Sequence, residues 1–193
     1  MHSMQMLSKL LIEQGDIFLA PGNYFHPEFN GLIYIQLPPL LQKQHNQKLI
    51  EQYDLQMPST QTRLLPKALS VHWKKLPIVA VHLGALLQVQ SEFFFGKPPN
   101  SKMLQHYFLQ PLNPIEVLNN NTESKLIASG AAQILLCLAP FGHAYVQRAK
   151  YMFSQQVQQM IPNCHQAILP WNIIEKTCHY LSGSTKNETT IAS

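Results

Sequence analysis

The sequence predicts an all-α fold: a single irregular domain of about seven or eight helices, with an extended N-terminal segment and a flexible C-terminal tail. Three observations carry this. Apolar residues recur every three or four positions through most of the 193-residue chain, which is the spacing that lines one face of a helix. Alternating strand and helix patterns are absent, and no repeat period is visible. Prolines and glycines, 14 and 8 of them, interrupt the helical pattern often, so the helices are expected to be short and set at varied angles. The helical domain is expected over residues 1–181 and the tail over 182–193.

Residues 4–13 carry Met4, Met6, Leu7, Leu10 and Leu11 mostly at helical spacing, with Gly15 as the expected stop. Residues 16–37 contain Pro21, Gly22, Pro27 and Gly31 and cannot form one regular element. Within them LIYIQL (32–37) reads as a short strand or an extended packing segment. Pro38 and Pro39 suit the first turn of a helix, where a missing N–H costs nothing. That helix is expected to end near Asp54, with Leu40, Leu41, Leu49, Ile50 and Tyr53 as its apolar stripe. After the polar loop QMPSTQT (56–62), a helix is expected over 64–75 with Leu65, Leu69, His72 or Trp73, and Leu76 facing inward. Pro77 ends or kinks it and opens a second helix, 77–90. The turn GKPPN leads to a short helix from Ser101 through Leu109, and 114–118 reads as one helical turn. Thr122 is the expected N-cap of a helix over 123–138. Pro140 and Gly142 break it, a helix resumes over 143–160, Pro162 stops that one, and a last helix covers 171–181. The tail is polar and has little to bury.

Composition narrows the function. Charged residues are only 12% of the chain, about half the usual share, and Gln and Asn fill the polar surface instead. Such a surface suits a protein that lives inside an assembly. The formal charge of +4 is spread along the chain without a basic run, which argues against nucleic-acid binding. No uncharged apolar stretch reaches the ~18 residues of a transmembrane helix, and the N-terminus lacks the pattern of an export signal. Three widely spaced cysteines are not a disulfide framework, and together these features favour a cytoplasmic address.

Catalytic and metal-binding constellations are weak. Cys164-His165 and Cys178-His179 repeat a pair of zinc-ligating types, but adjacent residues point apart, whereas structural zinc sites space their ligands two to four residues apart. Nine histidines invite a hydrolase reading, yet only ten acidic residues are present, and the GxSxG, HExxH and glycine-loop patterns are all missing. No catalytic residue, metal or cofactor is expected. His26, in NYFHPEF, is held extended by Pro27 and flanked by Tyr24, Phe25 and Phe29. It reads either as a packed anchor or as part of a partner contact formed by Tyr24, His26, Pro27 and Glu28. Phe93, Phe94 and Phe95 cannot all face one side of a helix.

The stretch HWKKLPIVAVHLGALL (72–87) carries W-x-x-L-P-x-V-A-x-x-L-G as Trp73, Leu76, Pro77, Val79, Ala80, Leu83 and Gly84. This resembles a signature of the SctK family (OrgA, MxiK and YscK in various systems), cytosolic accessory proteins of type III secretion machines. Tyr24-Phe25-His26-Pro27, reached through Ile17, Phe18 and Pro21, resembles the Tyr-Ile-His-Pro segment of the same family. The likeness covers roughly residues 16–90, with Val81-His82 and Ala85 departing from the pattern; beyond it the chain is similar only in helicity and length. The motif reads physically as a fixed helix–helix corner, in which Pro77 separates two helices, Trp73 wedges the corner and Gly84 admits another backbone. The resemblance implies a non-enzymatic adaptor of the sorting platform. It would bridge an inner-membrane ring protein (SctD) and a pod protein (SctQ), and through the latter the stalk protein (SctL) and the ATPase (SctN), with no nucleic acid bound and no direct membrane insertion. The alternatives left by the residues alone are a type III secretion chaperone or unrelated helical adaptor, and a His/Cys-based hydrolase or metal protein.

Overall fold

The computed structural model describes residues 2–31, 33–94, 120–164 and 168–183. Among them are nine α-helices and no strand. In chain order these are α1 (His2–Leu19), α2 (Pro27–Asn30), α3 (Pro39–Gln52), α4 (Lys67–Val71), α5 (Leu76–Phe94), α6 (Asn120–Leu138), α7 (His143–Lys150), α8 (Gln155–Met160) and α9 (Trp171–Gly183). Short 3-10 turns join several of them.

The core is built on α5 and α6, which lie antiparallel and in close contact. Val79, Ala80 and Leu83 of α5 face Ala128, Ala131, Ile134 and Leu138 of α6 in one continuous cluster. Two glycines bring the backbones together. A Cβ on Gly84 would collide with the Leu126 carbonyl, and one on Gly130 with the Ala80 carbonyl. Helix α9 lies against α4 and α5, α7 against α6 and α1, and α8 against α6. The span Glu123–Phe141 is long and apolar enough to cross a membrane by length and composition alone. One face of it is spent on the core just described.

Several expectations are corrected. The stop expected at Gly15 falls beside a real break: α1 is two helical pieces that meet at a kink at Gln14 (φ −134°, ψ 17°), and the second piece carries the chain on to Leu19. The second piece forms because it buries Ile17 and Phe18, a gain of about 1.5–3 kcal/mol each. The Gln14 side chain uses the kink to pair with the backbone of Leu65, its Nε2 donating to the carbonyl at 3.0 Å and its Oε1 accepting the N–H at 3.1 Å. Within the run 32–37 expected as a strand, Tyr34–Gln36 form a 3-10 turn, with Tyr34 buried as a plug and no strand among the described residues to pair with. Leu40 and Leu41 are exposed rather than part of the buried stripe of α3, which is carried by Asn46 and Leu49.

The helix expected over 64–75 is shorter, since Pro66 holds its own residue extended and α4 begins at Lys67. Thr122 falls inside the first turn of α6 rather than capping it. The helix expected over 143–160 is two, α7 and α8, with Ser154 as N-cap of the second. The last helix runs two residues past 181. The readings at Phe95, 101–109, 114–118 and His165, and the rest of the tail from 184, lie outside the described residues.

Candidate protein-binding segment and the motif corner

The segment 21–31 is irregular but tightly held. Pro21–Asn23 form a 3-10 turn, and Gly22 passes so close to Tyr34 and Asn46 that any side chain there would strike both. Its N–H donates to Asn46 Oδ1 at 2.8 Å, and its carbonyl accepts from Asn30 Nδ2 at 2.8 Å. His26 caps α2, and Gly31 closes it in the left-handed conformation (φ 68°) that glycine adopts without strain. The Phe29 carbonyl accepts from the Tyr53 hydroxyl at 3.2 Å. A small aromatic core of Phe25, Phe29, Tyr53 and Tyr151 locks the segment between α3 and the α7–α8 junction.

The four residues of the candidate contact are used differently. Tyr24 is committed inward, its hydroxyl donating to the Ile17 carbonyl and its ring meeting Trp73 edge-on at 5.8 Å. Burial pushes its phenol well above the usual range, opposed by the neighbouring Arg148 guanidinium. The His26 backbone N–H donates to the Tyr151 carbonyl at 2.9 Å, while its ring is half-buried, with Nδ1 accepting from the Glu28 N–H at 3.4 Å. Pro27 is exposed. Glu28 is exposed too, yet its carboxylate accepts the N–H of Gln155 at 2.8 Å, at the positive N-terminal end of α8. A substitution at Glu28 therefore acts on the fold as well as on the surface.

The motif corner lies mostly in the core. Trp73, Leu76, Val79, Ala80, Leu83 and Gly84 are buried, and Pro77 is half-buried in the first turn of α5. The bend itself is made before Pro77, at His72 (φ −99°, ψ 16°) and the 3-10 turn Trp73–Lys75. Trp73 packs against Tyr24 and Tyr145. The two motif stretches, with Tyr24 and Trp73 standing 49 residues apart in sequence, thus meet ring to ring.

Arg148 joins them to the C-terminal half and was missed in the sequence. It is fully buried, with Nη1 donating to the carbonyls of Gln56 and Ala144 and Nη2 to that of Phe18 at 3.1 Å. Its guanidinium stands 5.1 Å from the Phe18 ring centroid. Burial lowers its pKa while Tyr24 opposes the shift. Beside it, Gln147 accepts the Gln56 N–H and donates to the Asp54 carbonyl, both at 2.8 Å. This pair ties loop 53–57 to α7. The polar pair Gln147-Arg148 in the short helix HAYVQRAK was the available signal, but helical spacing alone does not say that Arg148 turns inward.

Two of the three thiols sit in low-dielectric surroundings. Burial pushes Cys137 and Cys178 up to about 11, so both stay protonated at neutral pH. Cys164 packs against Ser129 and the Met160 carbonyl. Among the described residues no three His, Cys, Asp or Glu side chains converge as a metal site.

A family model described as bacterial type III secretion apparatus protein (OrgA_MxiK) matches residues 15–180. It runs well past the motif stretches into the C-terminal half that carries Arg148. No curated protein and no solved structure matches the chain.

Proposed function

Because the chain belongs to the OrgA/MxiK family of bacterial type III secretion apparatus proteins, we propose that it is a non-enzymatic adaptor of the sorting platform beneath the secretion channel. In this reading it works in the cytoplasm, tethered to the inner membrane through the machine. It bridges the inner-membrane ring protein (SctD) and the pod protein (SctQ), and through the latter the stalk protein (SctL) and ATPase (SctN). The family match along 15–180 is the observation that carries it. The aromatic segment supports it: an irregular loop held on a helical body, with Tyr24 turned inward, leaves Pro27 and Glu28 exposed beside the half-buried His26, and this reading assigns that edge to a partner. The mechanism is binding alone, which holds the platform in place so that cargo is loaded in order. Affinity purification of the tagged chain from secreting cells tests this. Recovery of both ring and pod proteins is expected, and recovery of neither would contradict the reading.

A further inference from the structure

Just beyond the anchored segment, four large apolar side chains stand in solvent within nine residues. Ile33 is 65% exposed, Ile35 85%, Leu40 68% and Leu41 46%. Exposed aliphatic residues are ordinary singly, but four within nine residues of a held backbone point to an interaction surface. Their exposure does not come from loose chain. Tyr34, between the two isoleucines, is buried, and its hydroxyl accepts from Asn46 Nδ2 at 2.8 Å while Asn46 Oδ1 holds Gly22. Gln42 Nε2 donates to the Leu37 carbonyl at 2.9 Å and to that of Tyr34 at 3.4 Å. Pro38 and Pro39 fix the backbone between turn and helix. A buried polar network therefore holds these apolar side chains outward, and the ordering cost of binding is met before any partner arrives.

The charged side chains nearest Leu40 and Leu41 along the chain are lysines. Lys43 stands one turn from Leu40, and Lys48 two turns from Leu41 on α3. From Phe29 through Ile50 the sequence contains no Asp or Glu, and the exposed Glu28 and Glu51 bound that run at its two ends. The exposed apolar residues of α1 differ, because Lys9 and Glu13 pair beside Ile12 and present both signs.

We propose that Ile33, Ile35, Leu40 and Leu41, rimmed by Lys43 and Lys48, dock an apolar-faced, acidic segment of a protein partner. The proposal rests on the adaptor reading and gives one of its two partners a chemistry and a seat. An anionic lipid surface shares the charge but fits less well, since such recognition typically takes clusters of about 4–8 basic residues.

The test titrates the purified chain calorimetrically with the purified pod protein and, separately, with the purified cytoplasmic domain of the ring protein from the same secretion system. Ile35→Asp combined with Leu40→Asp should weaken one of the two by roughly tenfold or more and leave the other unchanged. Lys43→Glu combined with Lys48→Glu should weaken the same partner at low salt, with the difference fading at high salt. The melting temperature should stay at the wild-type value, and if the apolar double variant fails to fold, the lysine pair carries the test. Wild-type affinity for both partners in all variants overturns this proposal and leaves the adaptor reading standing. Failure of the wild-type chain to bind either protein overturns both. Two other results also overturn the proposal: binding of the wild type to phosphatidylglycerol vesicles that the lysine variants abolish, and self-association in sedimentation that the apolar variants abolish.

Discussion

Arg148 is a cation taken out of water and surrounded by carbonyl oxygens and aromatic rings. Its stem and guanidinium reach three parts of the chain, the end of α1 at Phe18, loop 53–57 at Gln56 and its own helix at Ala144. Arg148→Met keeps most of the volume but leaves the buried Phe18 carbonyl and the partly buried Gln56 carbonyl without their donor. The expected loss is about 2–4 kcal/mol in urea unfolding, since each stranded acceptor costs about 1–3 kcal/mol. Arg148→Lys should lose less but stay well below wild type, because one ammonium cannot span both carbonyls. A different residue-scale effect concerns His82, whose ring meets Tyr180 of α9 at 6.3 Å. Burial holds its pKa below the ordinary 6.5. The unfolded chain therefore takes up the proton first as pH falls. Stability is full above about 6.5 and declines as pH drops through it toward the folded value. The melting temperature should be lower at about pH 5.5 than at about pH 7.5, and His82→Gln should reduce that difference. His45 and His72 shift in the same direction, each chiefly by desolvation.

At the scale of elements, the α5–α6 contact depends on the absence of two side chains. Gly84 of the motif was readable as a site of close approach, but its counterpart Gly130 was not, because nothing in ASGAAQ distinguishes a packing glycine from an incidental one. The two are reciprocal, each facing a backbone carbonyl of the other helix. Gly84→Ala should therefore cost about 1–3 kcal/mol by overpacking, even though alanine is the better helix former. Gly15→Ala, where an added Cβ would meet only the Leu19 side chain at 4.0 Å, should gain about 0.5–1 kcal/mol. Chemical denaturation of the pair measures both, and a stabilising Gly84→Ala would refute the close approach. Most long helices were legible from apolar spacing, because a face with several large residues outweighs one poor helix former. Boundaries set by tertiary contact were not. The kink at Gln14 exists for a hydrogen-bonding partner 51 residues away, and α7 and α8 separate where Tyr151 turns into the aromatic core.

At the scale of the molecule, the family was legible from residues 16–90, and the match over 15–180 extends it. The sequence could not show that Tyr24 and Trp73 touch, or that Arg148 completes their junction, because such contacts pair residues that share no local pattern. Nor could it show that Tyr24 points inward while Glu28 serves α8, since an aromatic-rich irregular loop looks the same whether it packs or binds. The edge at Pro27 and Glu28, beside the half-buried His26, and the exposed apolar residues of 33–41 are the surfaces that the two proposals assign to partners. The most direct test of that account mixes the purified chain with the ring protein's cytoplasmic domain and the pod protein and follows them by sedimentation velocity. A ternary species larger than either pairwise complex is predicted. Pairwise complexes that compete, or no complex at all, would contradict it.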